Sequence, residues 1–192
     1  SRLVKNILNE INDKKVQEIE VDSYYKDLSH LLFKEREKNN FDHPDSIDFE
    51  LLYNDLIGIK DNKTIFSPLY DYKTHTRRKN KKREIKDVEV ILLEGIFALY
   101  DSKIRDLLSM KIYVDTPSDV RLLRRIKRDI NKRGRSIEGI INQYNNTVKP
   151  MFTKYVKPTR DYADLIVPFG GKNKVSIDTI VTKIKKNLHL DM

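Results

Sequence analysis

Residues 88–95 read VEVILLEG, an apolar run halted by an acid and a glycine. Three other stretches share its character: VQEIEV (16–21), MKIYVDT (110–116) and ADLIVP (163–168). Segments with apolar residues at helical spacing lie between them. Strands buried on both faces lose the polar half of their alternation, so such runs separated by helices specify a parallel sheet flanked by helices. That pattern puts the chain in the α/β class.

The helical segments carry their own signals. Leu3, Val4, Ile7, Leu8 and Ile11 predict a helix at the start of the sequence. Residues 29–39 are expected to be helical, with Ser29 as the cap. Asp48 is placed to cap a helix through Leu51, Leu52 and Leu56. Thr116 as N-cap, Pro117 at the first helical position and Asp119 at the capping-box position start a helix that runs to about Asn131. Another helix follows Ser136. The last carries Ile177, Ile180, Val181, Ile184 and Leu188 on one face. Residues 64–86 alternate and then turn basic, which predicts a β-hairpin with an exposed tip. The reading is one domain, 1–192, with a hairpin insertion at 64–87 and an arginine-rich region at 117–136.

Composition narrows the function classes. The 192 residues contain no cysteine, which excludes disulfide and thiol chemistry. His30, His43, His75 and His189 lack zinc-ligand spacing. No apolar run approaches the ~18 residues of a membrane span. The opening SRLVKNILNEIN is too polar for the apolar core of a signal peptide, so a cytoplasmic protein is expected. The net charge of +9 favours anionic partners: phosphate, nucleotide, nucleic acid or an acidic membrane. RRKNKKR (77–83) reads either as a polyanion-binding patch or as a hydrophilic hairpin tip, and the second reading is preferred.

In open parallel sheets, ligands bind beyond the carboxyl ends of the strands. Three strands end there in an acid: Asp22, Glu94 and Asp115. Asp115, beside Thr116, is read as part of a turn. Asp22 and Glu94 are candidates for holding Mg²⁺, and after Asp22 the sequence VDSYYKD adds a hydroxyl and two phenols. Arg121, Arg124, Arg125 and Arg128 recur at i, i+3, i+4 and i+7, opposite Leu122, Leu123, Ile126 and Ile130; Arg133 and Arg135 follow around Gly134. Lysine would solvate a helix equally well. Arginine's fixed fork suits bidentate contact with phosphate oxygens.

The blocks DSYYKDLSHL (22–31), NNFDHPDSID (39–48), YDYKTHTR (70–77), ILLEGIFALYDSKIRDL (91–107), IYVDTPSDVRLLRRIKRDINKRGRS (112–136), QYNNTVKPMF (143–152) and YADLIVPFGGKN (162–173) occur in this order. Together they resemble the uridine–cytidine kinase family over nearly the whole chain. The resemblance implies a P-loop kinase fold of the nucleoside-kinase kind. It implies phosphorylation of the 5′-hydroxyl of uridine or cytidine to UMP or CMP in pyrimidine salvage, with ATP or GTP as donor and Mg²⁺ as cofactor. By the same resemblance Asp22 is the catalytic base and, with Glu94, lies at the metal. Tyr25 packs on the pyrimidine ring, and Phe41 and Asp42 line the sugar. Tyr70, Tyr72 and His75 of the hairpin form the base pocket, and Arg125 and Gln143 are substrate-side contacts. Arg128, Arg133 and Arg135 form the lid over the donor phosphates. A cytoplasmic homotetramer with CTP or UTP as feedback inhibitors is also implied, with neither membrane nor nucleic acid as partner.

One departure is plain. P-loop kinases carry GxxxxGK[ST] after their first strand. Gly58, Gly95, Gly134, Gly139, Gly170 and Gly171 are the six glycines, and none fits it. The expectation is a chain that starts at or within the helix after that loop, inactive alone, with a gap where a central strand belongs. The competing readings are another kinase of the superfamily (phosphoribulokinase or pantothenate kinase), a catalytically dead homologue, and a basic nucleic-acid-binding module. The aromatic hairpin with His75 favours a pyrimidine nucleoside.

Overall fold

In the computed structural model, which describes residues 1–189 apart from the side chains of Lys132 and Arg133, the apolar stripe at the start folds as α1 (Arg2–Ile11). It buries Leu3, Val4, Ile7 and Ile11, and Ser1 Oγ accepts the Val4 N–H at 3.3 Å. The chain continues through β1 (Val16–Glu20), α2 (Phe33–Arg36), α3 (Phe49–Lys60), β2 (Ile65–Asp71) and β3 (Thr76–Ile85) to β4 (Val90–Glu94). Then come α4 (Ser102–Leu107), β5 (Ile112–Asp115), α5 (Ser118–Arg133), α6 (Ile137–Gln143), α7 (Lys149–Met151), β6 (Leu165–Pro168) and α8 (Lys174–Asn187).

The apolar runs pair in parallel as expected, but as two separate pairs. β1 pairs with β4 from Val16↔Val90 to Glu20↔Glu94, and β5 pairs with β6 from Ile112↔Leu165 to Asp115↔Pro168. Among the described residues no strand joins β4 to β5. The strands are accordingly less covered than a central parallel sheet demands: β4 is half-buried throughout, and Val114 is 41% exposed. What unites the pairs is side-chain packing. Leu3, Ile7 and Ile11 of α1 and Ile177, Ile180, Val181 and Ile184 of α8 form one core with Val90, Leu92, Ile112, Leu165 and Val167. A second core surrounds Tyr24, Leu52, Ile65, Ile85, Phe97 and Ile104, beneath the antiparallel hairpin β2–β3.

Several boundaries differ from the sequence expectation. Residues 29–39 contain only the four-residue α2, because Asp27 accepts the Ser29 N–H (3.2 Å) and hydroxyl (2.7 Å) and diverts the backbone into a turn. α5 begins at Ser118, so Pro117 rather than Thr116 is its cap. It runs on to Arg133, ending where Gly134 takes the left-handed conformation (φ 62°) that its missing side chain permits. Its apolar stripe is not a buried face: Leu123 is 66% exposed, and the fully buried residue is Asp129. Asp48 and Ser136 do cap α3 and α6, accepting from Leu51 N–H and Gly139 N–H at 3.1 Å each. After α6 the helix widens into π-type turns at Tyr144–Val148 and Phe152–Val156, on either side of α7. Pro150 sits between them. It has no N–H to give and crowds the preceding turn, which accounts for a break in the regular ladder there.

Candidate active site

The register of β1 with β4 brings acids together. Glu20 lies opposite Glu94, and carboxylate oxygens of Glu18, Glu20 and Glu94 approach within 4.8 Å of one another. The amino group of Ser1 contacts the Glu94 carboxylate. Asp22 follows on a tight turn, Val21–Tyr24. Gly95 makes that turn fit: a Cβ there would lie 2.7 Å from Val21 Cβ, and its φ of 149° disfavours any side chain. Burial, then the charges of Glu20 and Asp42, raise the Asp22 pKa to about 6, opposed by the Ser1 amino group and Arg128. Asp22 Oδ1 is sealed from solvent and has no hydrogen-bond partner among the described residues. The clustered carboxylates of Glu18, Glu20 and Glu94 suit a hard divalent cation such as Mg²⁺; of the two acids expected at a metal, Glu94 belongs to this group and Asp22 does not.

Next in sequence to the Asp22 turn, Tyr25 anchors an aromatic cluster. The Tyr25 ring is buried, 5.3 Å from Phe41 and 5.2 Å from Tyr70, and its hydroxyl donates to Phe41 O at 3.1 Å. Burial and the nearby charges of Asp22 and Asp42 raise the Tyr25 pKa. Tyr70 is buried on β2, and its hydroxyl finds no hydrogen-bond partner among the described residues; burial pushes its pKa up to about 12. The half-exposed Tyr72 ring lies 5.4 Å from Tyr70. His75, in the hairpin turn at φ 55°, stacks on Phe41 at 4.8 Å and 17°. Surface cavities of about 270 and 400 Å³ lie elsewhere, lined by residues such as Lys15 and Ile59 in one and Phe49 and Tyr53 in the other, and none of the expected site residues borders them.

The arginines of α5 and of the residues just after it converge on one acid. Arg128 Nε donates to Asp129 Oδ1 at 2.8 Å, while Arg125 and Arg135 approach Oδ2 at 3.7 and 3.9 Å. Arg125 and Arg135 also donate to Gln143 Oε1, at 3.0 and 2.6 Å. Arg121 leaves this group and lies over the Phe152 ring at 3.7 Å. The side chain of Arg133 falls outside the described residues.

This arrangement can be set beside known proteins. The profile of the Phosphoribulokinase / Uridine kinase family matches residues 1–176. The chain belongs to that family. A uridine kinase of Clostridium novyi (strain NT) is 48% identical over 188 residues, which cover 98% of this chain and 90% of the relative. A uridine kinase of Ligilactobacillus salivarius (strain UCC118) is 48% identical over 179 residues, 93% of this chain and 84% of the relative. Phosphoribulokinase from Rhodobacter spheroides superposes with a TM-score of 0.67 at 14% identity, over 88% of this chain and 64% of that one, a likeness of fold. A phosphoribulokinase/uridine kinase family member is a kinase, whose chemistry implies an ATP-type donor.

Some residues that organise this candidate site carry no signal in the sequence. Arg77 fastens the hairpin to the Asp22 turn, donating to Tyr25 O (2.9 Å), Tyr24 O (3.3 Å) and Asp48 Oδ2 (3.0 Å). Its partners are up to 53 residues away, so no local pattern reveals them, and RRKNKKR hides it among lysines. Asp129 is one acid in a basic helix, and nothing near it in the sequence marks it out. Glu18 and Glu20 were legible in principle, as acids two apart on one strand face.

Proposed function

We propose that the chain carries the nucleoside-phosphorylating site of a uridine kinase, acting on the 5′-hydroxyl of uridine or cytidine with ATP or GTP. One observation supports this reading: the rings of Tyr25, Phe41, Tyr70 and His75 gather beside the turn that carries Asp22, whose buried Oδ1 has no hydrogen-bond partner among the described residues. A base with a pKa of about 6 is stronger than an ordinary aspartate yet still ionised at neutral pH.

In this mechanism Asp22 accepts the 5′-hydroxyl proton as the alcohol oxygen bonds to the γ-phosphorus and the bond to the departing ADP or GDP oxygen breaks. Arg128 and Arg135, with Arg133, spread positive charge over the transferring group and act as the lid of region 117–136. Arg125 and Gln143 are substrate-side contacts. Asp42 accepts hydrogen bonds from the ribose hydroxyls. Tyr25, Phe41, Tyr72 and His75 pack around the pyrimidine, and the unpartnered Tyr70 hydroxyl is available to a polar atom of it. Glu94 and Asp22, with Glu20, would hold Mg²⁺, which would supply positive charge to the phosphate oxygens. The reading extends, by resemblance, to pyrimidine salvage in the cytoplasm, a homotetramer, and CTP or UTP as feedback inhibitors.

Residues 1–192 hold no GxxxxGK[ST] sequence, whose backbone N–H groups cradle phosphate in P-loop kinases. These residues alone are therefore expected not to turn over ATP, while keeping a nucleoside site. The test is uridine-dependent ADP release with Mg-ATP, on residues 1–192 and on the same residues joined to an upstream glycine-rich loop. Activity in the longer protein alone supports both statements. Inactivity of both, with no uridine bound, overturns the uridine kinase reading.

A further inference from the structure

The hairpin β2–β3 is fastened at two levels. Arg77 holds its strand portion to the Asp22 turn. The turn portion, which carries His75, is held by residues that neither the sequence blocks nor the mechanism uses. Arg36, at the end of α2, donates three hydrogen bonds to backbone carbonyls: Nε to Leu31 O (2.9 Å), Nη2 to Ser29 O (3.1 Å) and Nη1 to Thr74 O (3.1 Å). Thr74 immediately precedes His75. From the same short helix, Phe33 lays its ring on His75 at 6.1 Å and 29°. The imidazole also stacks on Phe41. His75 is thus in ring contact with both phenylalanines. Phe33 is 47% exposed, so its ring contact is made at the surface.

We propose that α2 is a clasp for the hairpin turn, and that Arg36 and Phe33 are positioning residues for the nucleoside base, acting through His75. This rests on the reading of His75 as a base contact. Phe41 and His75 are in direct ring contact, so a base enters beside them only as the imidazole shifts. The clasp sets the imidazole's position from the side of Phe33. A guanidinium bonded to three carbonyls from two segments spans them rigidly, since its fork is planar and pre-organised. Without it the turn loses the tie between Thr74 and the segment 29–31. The base then has to order the turn as it binds, and that lost freedom is subtracted from affinity.

The test uses the whole chain and three variants, Arg36→Ala, Arg36→Lys and Phe33→Ala. Amide hydrogen exchange at residues 74–78 is measured first, without ligand. Arg36→Ala is expected to speed exchange there while leaving β1, β4 and α8 unchanged, and Arg36→Lys to restore part of the protection. Uridine titration, followed by the His75 imidazole NMR signals, is expected to give an affinity about 10-fold weaker for Arg36→Ala, a loss equal to one good hydrogen bond. Phe33→Ala is expected to move the imidazole signals before any ligand is added. Unchanged exchange in Arg36→Ala overturns the clasp, whatever uridine does. Faster exchange with unchanged uridine affinity overturns the positioning role. Faster exchange in a protein whose wild-type form binds no uridine at millimolar concentration locates the failure in the nucleoside reading, and the base-positioning role falls with it.

Discussion

Asp129 shows how one side chain can set the chemistry of several others. It is the fully buried acid in a helix dense with arginine, and three guanidinium groups lie within 3.9 Å of its oxygens. Removing one member of a buried ion pair strands the others, so Asp129→Asn is expected to cost about 3 kcal/mol, read from chemical denaturation. Asp22 makes a different prediction. Its folded pKa of about 6 exceeds the ordinary 3.8, so the folded state holds the extra proton between those values. Stability from this group is full below pH 4 and is lost as pH rises through 6. In metal-free buffer, wild type should therefore lose roughly 3 kcal/mol relative to Asp22→Asn between pH 4 and 7, measured by urea titration at each pH. Asp22 was legible because a strand end and a motif marked it. Asp129 was not, because its role exists only where α5, Gln143 and the residues after Gly134 meet.

The elements show the same division between local and distant causes. Caps at Asp48 and Ser136 and the stripe of α8 were readable, since each is decided within one or two turns. The brevity of α2, the late start of α5 and the π-type turns beside Pro150 were not, since side chains and packing overrode local preference. The β4-to-turn junction is the tightest of these places. Gly95→Ala forces a methyl against Val21 at a backbone angle that side chains avoid, and should cost about 2 kcal/mol. Because Val21 adjoins Asp22, the same substitution should also move the NMR signals of the Asp22 turn. The hairpin supplies a further check. Arg77→Met removes the donors that tie it to Tyr24, Tyr25 and Asp48, and should release protease sites within β3 while leaving α1 and α8 protected.

At the scale of the molecule, the α/β class was evident from four apolar runs, and two parallel pairs with helices on them bear it out. The gap between β4 and β5 was expected from the missing glycine-rich sequence rather than from the strands themselves. Parallel strands point alternate N–H groups to either side, so in β4 and β5 one set is paired and the other open. Hydrogen exchange should split each of these strands into protected and unprotected amides in alternation; uniform protection would mean that something pairs with their free edges. No helix among the described residues is long and apolar enough to cross a membrane.

The two strand pairs also give the molecule a direction of mechanical weakness. A force drawing β4 away from β5 meets no hydrogen-bonded ladder between the two pairs among the described residues; it works chiefly against side-chain packing such as that of α1 and α8, which yields gradually. A force along β1 and β4 must shear a ladder of hydrogen bonds at once. Pulled in the first direction, the protein should open like a book along its spine at low load, and pulled in the second it should resist and then snap.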